Sequence, residues 1–275
     1  MEHTHPRIAG LGLIDTHCHL EQPAYDADRE DIIALCERRL SAVITTAPDP
    51  QHYNITFKMV ATHPGFLFAV AGIHPEYVCI FNSQDVDIAA KTLMENRHML
   101  VGIGETGLDY AYIRGEVERE EQKRLFIRFI RLGKEMGLPI VVHLRNGEDR
   151  ENVDVFDDAF EILKREKAQR VQLHMFGSKR HVEEAIGLGW YISMNAIVLH
   201  SKTYGKVVRD TPLERLMLET DAPWLHPSLD KEKRNDPTHV IEVAEKISEI
   251  KKVPVEQVIE STTKNAVEFF NLRLR

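Results

Sequence analysis

The chain is organised around one stretch near its start, Leu13-Ile14-Asp15-Thr16-His17-Cys18-His19. Its apolar beginning leads into two histidines that are separated by a single residue. If the stretch is a β-strand, side chains alternate between its faces, so His17 and His19 point the same way and Cys18 points the other way. Two imidazoles one strand repeat apart can hold a metal ion, and histidine is the commonest metal ligand. Because the chain has 14 histidines and such a pair also arises by chance, the metal hypothesis depends on finding further ligands.

The rest of the chain alternates short apolar runs with longer segments of helical periodicity. The runs predict strands at Leu13–His19, Ala42–Thr46, Phe66–Ile73, Met99–Thr106, Pro139–His143, Val171–His174, Trp190–Ser193 and Leu216–Asp221. Helices are predicted at Ala24–Leu40, Asp49–His63, Asp85–Asn96, Glu116–Met136, Asp154–Lys167, Ser178–Leu188, Tyr204–Arg209, Pro237–Ile250 and Pro254–Phe270. Strands that are each followed by helical sequence indicate a parallel α/β sheet with crossover helices.

Eight strand–helix units favour a closed (β/α)8 TIM barrel over an open doubly wound sheet. Such a barrel typically takes about 250 residues, and the chain has 275 with no break in composition. We therefore expect one domain over residues 1–275, in which residues 1–10 form a flexible polar leader.

Composition predicts a cytoplasmic protein. The sequence has no apolar run of about 18 residues that would span a membrane, and its start lacks the hydrophobic core of a signal peptide. The three cysteines, Cys18, Cys36 and Cys79, are scattered and are interpreted as buried thiols in a reducing compartment.

The net charge of the chain and the absence of nucleotide-binding motifs limit the nucleic acids and nucleotides that we expect it to bind. A formal net charge of −8 argues against a broad basic surface for duplex binding, but phosphates can still be handled in a cleft where metal ions supply positive charge. No G-x-G-x-x-G follows a strand and no Walker-type G-x-x-x-x-G-K-[ST] occurs, so neither kind of nucleotide binding is indicated.

Polar side chains fall where the predicted strands end, which is the active-site end of such a barrel. They are His17, His19, His74, Glu105, His143, His174 and Asp221. Buried without partners, these groups would be costly to desolvate, and a shared pair of divalent metal ions accounts for them together. Glu105 is predicted to bridge the two ions, and Asp221 to ligate one of them and accept a proton from water as a general base.

Seven stretches resemble successive signatures of the TatD family, in family order and over nearly the whole chain. They are Asp15–His19 (DTHCH), Gly72–Pro75 (GIHP), Gly104–Tyr110 (GETGLDY), Leu138–His143 (LPIVVH), Leu173–Gly177 (LHMFG), Glu219–Trp224 (ETDAPW) and Arg234–Pro237 (RNDP). The resemblance implies a metal-dependent hydrolase of the amidohydrolase superfamily. Characterised members act as deoxyribonucleases, as 3′→5′ exonucleases that prefer single strands, so single-stranded DNA ends are the implied substrate.

The resemblance also implies roles for individual residues. His17, His19 and Asp221 would hold one metal and His143 and His174 the other, with Glu105 bridging. His74 would face the substrate phosphate. Arg234 and Asn235 would orient the loop after strand eight, with direct substrate contact as the alternative. Apart from the resemblance, five side chains near the predicted strand ends are candidates for a local substrate track, with ordinary surface positions as an equal alternative: Tyr110, Tyr112, Arg114, Arg145 and Lys179.

Two divalent ions are expected as cofactors. Phosphodiester chemistry commonly uses Mg²⁺ or Mn²⁺, whereas a set of histidines with two carboxylates also suits Zn²⁺. The oligomeric state stays open, and a monomer is compatible with the sequence.

Two other functions are compatible with the same ligands. The first is a small-molecule amidohydrolase or lactonase on the same barrel. Some superfamily members bridge their metals with a carboxylated lysine, so Glu105 favours the nuclease. The second is an inactive, metal-stabilised binding protein, against which the complete ligand set argues.

Overall fold

The computed structural model describes residues 12–113, 115–148 and 153–275. The leader predicted at residues 1–10 lies outside them. Eight parallel strands pair in chain order, so the predicted (β/α)8 barrel is confirmed. The strands are β1 (Ile14–Cys18), β2 (Ala42–Ala47), β3 (Leu67–Ala71), β4 (Leu100–Asp109), β5 (Ile140–Arg145), β6 (Val171–Leu173), β7 (Tyr191–Met194) and β8 (Leu216–Leu218).

The barrel closes through hydrogen bonds between β1 and the residues that follow β8. The backbone N–H of Asp221 donates to the carbonyl of His17 at 2.9 Å, and that of His19 donates to the carbonyl of Ala222 at 2.7 Å. The Thr16 hydroxyl donates to the carbonyl of Leu218 at 2.9 Å. The backbones of the predicted ligands His17, His19 and Asp221 therefore take part in the closing seam.

Helices follow the strands as the sequence predicts. They are α1 (Arg29–Arg39), α2 (Tyr53–Thr62), α3 (Ser83–Glu95), α4 (Glu116–Met136), α5 (Val155–Arg165), α6 (Val182–Gly187), α7 (Lys202–Asp210), α8 (Val240–Lys251) and α9 (Val255–Phe270). The bounds of α4 coincide with the prediction because Gly137, at φ 65°, ends the helix in the left-handed conformation that glycine favours.

Four predicted helices begin three to five residues too early: those expected from Ala24, Asp49, Ser178 and Pro237 begin at Arg29, Tyr53, Val182 and Val240. Asp49 holds the residues before α2 in a turn, since its carboxylate accepts from the backbone N–H of Gln51 and from the ring of His52, both at 2.7 Å. The helix therefore begins at Tyr53. Before α1, Pro23–Tyr25 forms a separate 3-10 turn.

Apolar side chains close the end of the barrel that lies opposite the predicted site. Phe269 and Phe270, at the end of α9, share a buried cluster with Ile14 and Ala42, the first residues of β1 and β2. A larger cluster fills the layer between the strands and the helices. The predicted ligands lie toward the other end of the barrel, where the strands have their C-terminal ends.

The three cysteines are free thiols, but only two are buried. Cys18 and Cys36 lie in the larger apolar cluster. For Cys18 this position agrees with a side chain that points away from the histidine face. The prediction that Cys79 is buried is wrong, because it ends the exposed 3-10 turn after β3. Across the described ranges, no helix combines the length and the apolar character that crossing a membrane requires.

Candidate metal centre

The first predicted ligand set converges at the mouth of the barrel. The Nε2 atoms of His17 and His19 are 3.1 Å apart, which confirms that the two rings share one face of the strand. Asp221 Oδ1 lies 3.7 and 3.6 Å from these two nitrogens, and Glu105 Oε2 lies 3.3 and 3.7 Å from them.

These distances fit a single cation. Bonds of about 2.0–2.2 Å place neighbouring donor atoms about 3.0 Å apart around an octahedral ion such as Mg²⁺, and around a tetrahedral ion such as Zn²⁺ about 3.4 Å apart. The measured separations of 3.1–3.7 Å bracket the tetrahedral value.

A second donor group surrounds the other oxygen of Glu105. Its Oε1 lies 2.7 Å from His143 Nδ1 and 3.6 Å from His174 Nε2. His74 Nε2 lies 3.7 Å from the same oxygen. The Glu105 carboxylate is buried between the two groups, one oxygen toward each, which is where a bridging ligand belongs. The donor atoms lie within 4.8 Å of one another in each predicted set. The first set is His17, His19 and Asp221, and the second is Glu105, His143 and His174.

Three of the histidines are backed by carboxylates that sequence reasoning left without a role. Glu21 Oε1 lies 3.1 Å from His19 Nδ1, and Asp109 Oδ2 lies 3.1 Å from His143 Nε2. Glu219 Oε1 lies 3.0 Å from His174 Nδ1, although the angle is poor for a hydrogen bond. Such partners fix the orientation of an imidazole and raise its basicity as a ligand.

A fourth buried carboxylate, Asp15, joins the two strands at the seam. Its Oδ1 accepts from the backbone N–H groups of His17 and Thr220, each at 3.1 Å, and its Oδ2 accepts from the Thr220 hydroxyl at 2.5 Å. Asp15 therefore positions the backbone that carries the ligands.

The sequence carried a signal for these carboxylates. Asp15 and Glu21 continue the period-two spacing of the two histidines, and Glu219 precedes Asp221 by two residues. This spacing does not by itself fix their faces, because the pairing of β1 with β2 is irregular between Asp15 and Cys18, and Glu21 and Glu219 lie outside the strands.

The imidazoles hold the Glu105 and Asp221 carboxylates in the ionised form. Burial opposes ionisation of Glu105, but the surrounding histidines, His174 first and then His17, hold its pKa well below the usual range. Burial likewise opposes ionisation of Asp221, and the hydrogen bond with His19 lowers its pKa nevertheless.

The carboxylates in turn favour positive charge on three of the rings. Burial disfavours a charged imidazole, yet Asp109 and Glu105 raise the pKa of His143 to about 10. Glu219 and Glu105 raise that of His174 to about 9. Glu21 and Asp221 raise the pKa of His19 well above its ordinary value. The pocket therefore attracts positive charge, as a cation site must.

The two remaining rings are neutral. Burial and the neighbouring His174, whose ring stacks at 3.8 Å, lower the pKa of His17. Burial and the neighbouring His143 lower the pKa of His74 to about 3.

Comparison with known proteins places this site in a family. The family model described as TatD related DNase matches residues 14–271. The chain belongs to this family. Membership confirms the prediction of a metal-dependent hydrolase.

Curated TatD relatives match over nearly their whole length. Human "Deoxyribonuclease TATDN3" is 31% identical over 274 residues, which cover 96% of each chain. The "Uncharacterized metal-dependent hydrolase YabD" of Bacillus subtilis is 32% identical over 266 residues, which cover 94% of this chain and 99% of that protein.

Solved TatD structures share the fold. The Escherichia coli homologue YJJV superposes with a TM-score of 0.82 at 24% identity, covering 95% of this chain and 98% of that one. A TatD family hydrolase from Entamoeba histolytica gives a TM-score of 0.82 at 20% identity, covering 94% and 97%.

The last TatD signature lies beside the centre without reaching into it. Asn235 is fully buried, and its amide donates to the carbonyl of Trp224 at 2.7 Å. Arg234 pairs with both carboxylate oxygens of Asp28, at 2.7 and 2.5 Å. These contacts favour the loop-orienting interpretation over substrate contact, which stays a prediction for both residues.

The side chains predicted for a substrate track differ in their exposure. Tyr110 is buried and its hydroxyl donates to Asp158 at 2.6 Å, so it fits neither the track nor an ordinary surface position. Arg145 ends β5 with an exposed side chain, Tyr112 is exposed after β4, and Lys179 lies 3.7 Å from Asp210. Arg114 lies outside the described residues.

Proposed function

We propose that this protein is a deoxyribonuclease that removes nucleotides from the 3′ ends of single-stranded DNA in the cytoplasm. The observation that carries the proposal is the buried Glu105 carboxylate, which offers one oxygen to each of two donor groups at the barrel mouth. The name of the human relative, a deoxyribonuclease, supports the choice of substrate. Two divalent cations, Mg²⁺ or Mn²⁺ in the first instance and Zn²⁺ as the alternative, would be held by His17, His19, Glu105, His143, His174 and Asp221.

Asp221 is suited to the role of general base. Its carboxylate is 14% exposed, whereas that of Glu105 is 4% exposed, so water reaches Asp221 more readily. Its lowered pKa keeps it ionised at neutral pH, so it can accept a proton from an attacking water. When bound, the cations would make that water more acidic and offset the charge that develops on a phosphoryl oxygen.

His74 is suited to donate a hydrogen bond to the substrate phosphate. The backbone N–H of Glu76 donates to its Nδ1 at 3.2 Å, so the proton of the neutral ring is on Nε2, which faces the centre. Because the pKa of His74 is lowered to about 3, the ring stays neutral over the physiological range. Its contribution is thus a directed N–H group and not a positive charge.

The test is hydrolysis of 5′-labelled and 3′-labelled single strands by chelated protein to which Mg²⁺ or Mn²⁺ is returned. We expect stepwise loss of 3′ nucleotides that requires the metal. Glu105→Gln should lower the rate by more than about 100-fold, since loss of even an outer partner of a ligand costs about 10–100-fold. Glu268→Gln, a surface glutamate on α9, is the matched control and should retain full activity.

Two results would overturn the proposal. One is wild-type protein that binds metal and leaves DNA intact. The other is turnover of lactones or esters above that of DNA, which would favour the small-molecule hydrolase instead.

A further inference from the structure

The two tryptophans of the chain differ sharply in their environments. Trp190 is 1% exposed, and its indole N–H donates to the carbonyl of Ala168 at 3.1 Å. Trp224 is 48% exposed and lies three residues after Asp221. Since tryptophan gains much by burial, an exposed ring at this position beside the candidate metal centre is available to cover a bound substrate.

We propose that Trp224 is a stacking platform for the base of the nucleotide whose phosphate lies at the metal centre. The inference rests on the proposed nuclease function and extends it to a base-binding subsite. The ring centroid of Trp224 lies 4.9 Å from that of His19, at an interplanar angle of 67°. Because His19 belongs to the metal centre, the Trp224 ring lies beside the place where we expect the substrate phosphate to bind, on the path of its nucleotide's base.

The platform is held in place before any substrate arrives. The backbone N–H of Trp224 donates to the carbonyl of Asp221 at 3.0 Å, and its carbonyl accepts from the buried Asn235 amide at 2.7 Å. The Tyr25 hydroxyl donates to the carbonyl of Asn235 at 2.7 Å and ties this segment to the loop after β1. Preorganisation of this kind reduces the ordering cost of binding.

Stacking also fits the charge of the chain. A formal net charge of −8 provides no broad basic surface for the DNA backbone, so affinity must come from elsewhere. Every base has a π-face, so stacking on an aromatic ring tolerates any sequence. An exonuclease that removes successive nucleotides needs this tolerance.

The kinetic test compares Trp224→Ala and Trp224→Phe on a single-stranded oligonucleotide. Stacking is worth about 5- to 150-fold in affinity, so Trp224→Ala should raise KM by that factor with little change in kcat. Trp224→Phe keeps a flat ring and should restore most of the loss. Leu229→Ala removes an equally exposed apolar side chain nearby and should leave KM unchanged.

A second arm asks whether the base itself is recognised. The wild-type protein should prefer an oligonucleotide with a complete 3′-terminal nucleotide to one whose terminal base is missing, and Trp224→Ala should lose that preference. A purely structural role in supporting His19 would instead lower kcat and metal content, and would leave the preference for the base intact.

Fluorescence separates this inference from the nuclease proposal. Deoxycytidine monophosphate added to the Mg²⁺-loaded protein should quench Trp224, and deoxyribose phosphate should not. The Trp224→Phe variant retains only buried Trp190 and should show no quenching. Quenching without DNA hydrolysis would support the subsite and refute the nuclease. Hydrolysis with unchanged KM in Trp224→Ala and no quenching would refute the subsite alone.

Discussion

Replacing Asn235 by alanine tests whether this residue orients the site or touches substrate. The amide is fully buried and makes two short hydrogen bonds, one to the carbonyl of Trp224 and one with His239 Nδ1, both at 2.7 Å. A buried polar group that loses its partner costs about 1–3 kcal/mol. Asn235→Ala leaves two such groups without a partner, so we expect the free energy of unfolding to fall by about 2–6 kcal/mol. The lower end of this range is expected because Trp224 and His239 retain some contact with water.

The same substitution should weaken metal binding. Asn235 also donates to the carbonyl of Thr220 at 3.3 Å, next to Asp221. Loss of an outer support for a metal ligand typically costs about 10–100-fold in affinity, and we expect a loss in that range. Urea unfolding and calorimetric titration with Mn²⁺ measure the two effects.

Asn96→Ala is the matched control for these measurements. The Asn96 amide donates to the carbonyl of Thr92 at 2.9 Å at the end of α3, away from the site. The net worth of such a bond is about 0.5–1.5 kcal/mol, and metal affinity should not change. If Asn235→Ala leaves stability and metal affinity intact but raises KM for DNA, the orienting role is refuted and Asn235 contacts the substrate.

Three further predictions concern the charges around the centre. Glu219→Gln removes the carboxylate behind His174 and should lower metal affinity by about 10–100-fold in the same titration, whereas unchanged affinity would show that this partner is dispensable. Metal affinity should rise with pH between about 7 and 9, by up to about tenfold per pH unit for each proton displaced, and a flat profile would contradict it. The sign follows from the raised pKa values of His143 and His174. Protonation of these two rings stabilises the metal-free fold fully below pH about 6.5. This stabilisation is lost as the pH rises through about 9 to 10. Because a metal ion must displace the same protons, metal binding becomes easier as the pH rises. Asp28→Asn breaks a partly exposed ion pair with Arg234 and should cost less than about 1 kcal/mol in urea unfolding, and a larger loss would contradict this estimate.

Local sequence patterns were sufficient for the strands and for the main ligands. Each strand of the barrel is a short apolar run, so its position depends on its own residues, and the order of pairing follows from the helices between strands. His17, His19 and Glu105 were found because they lie where such runs end. The spacing of His17 and His19 also predicted that their rings share one face, because side chains alternate along a strand.

Contacts between distant segments were not predictable in this way. Arg234 pairs with Asp28, which is 206 residues away, and no local pattern links the two. Tyr110 lies after a strand in sequence but turns inward to Asp158. A strand end places a residue near the mouth of the barrel, whereas the packing of the following loop decides whether its side chain reaches the centre.

The position of Asp221 shows how the fold and the site depend on each other. Its backbone N–H donates to the carbonyl of His17 across the seam, while Asp15 holds the neighbouring Thr220 from the β1 side. From the other side, Asn235 holds the carbonyls of Thr220 and Trp224. The segment between these two anchors has little freedom, and Asp221 adopts a left-handed φ of 60° within it, a conformation that non-glycine residues adopt mainly where the surrounding structure requires it. The hydrogen bonds that close the barrel therefore also set the distance from Asp221 to His17 and His19, so a ligand set drawn from both ends of the chain is positioned by the closure of the sheet itself.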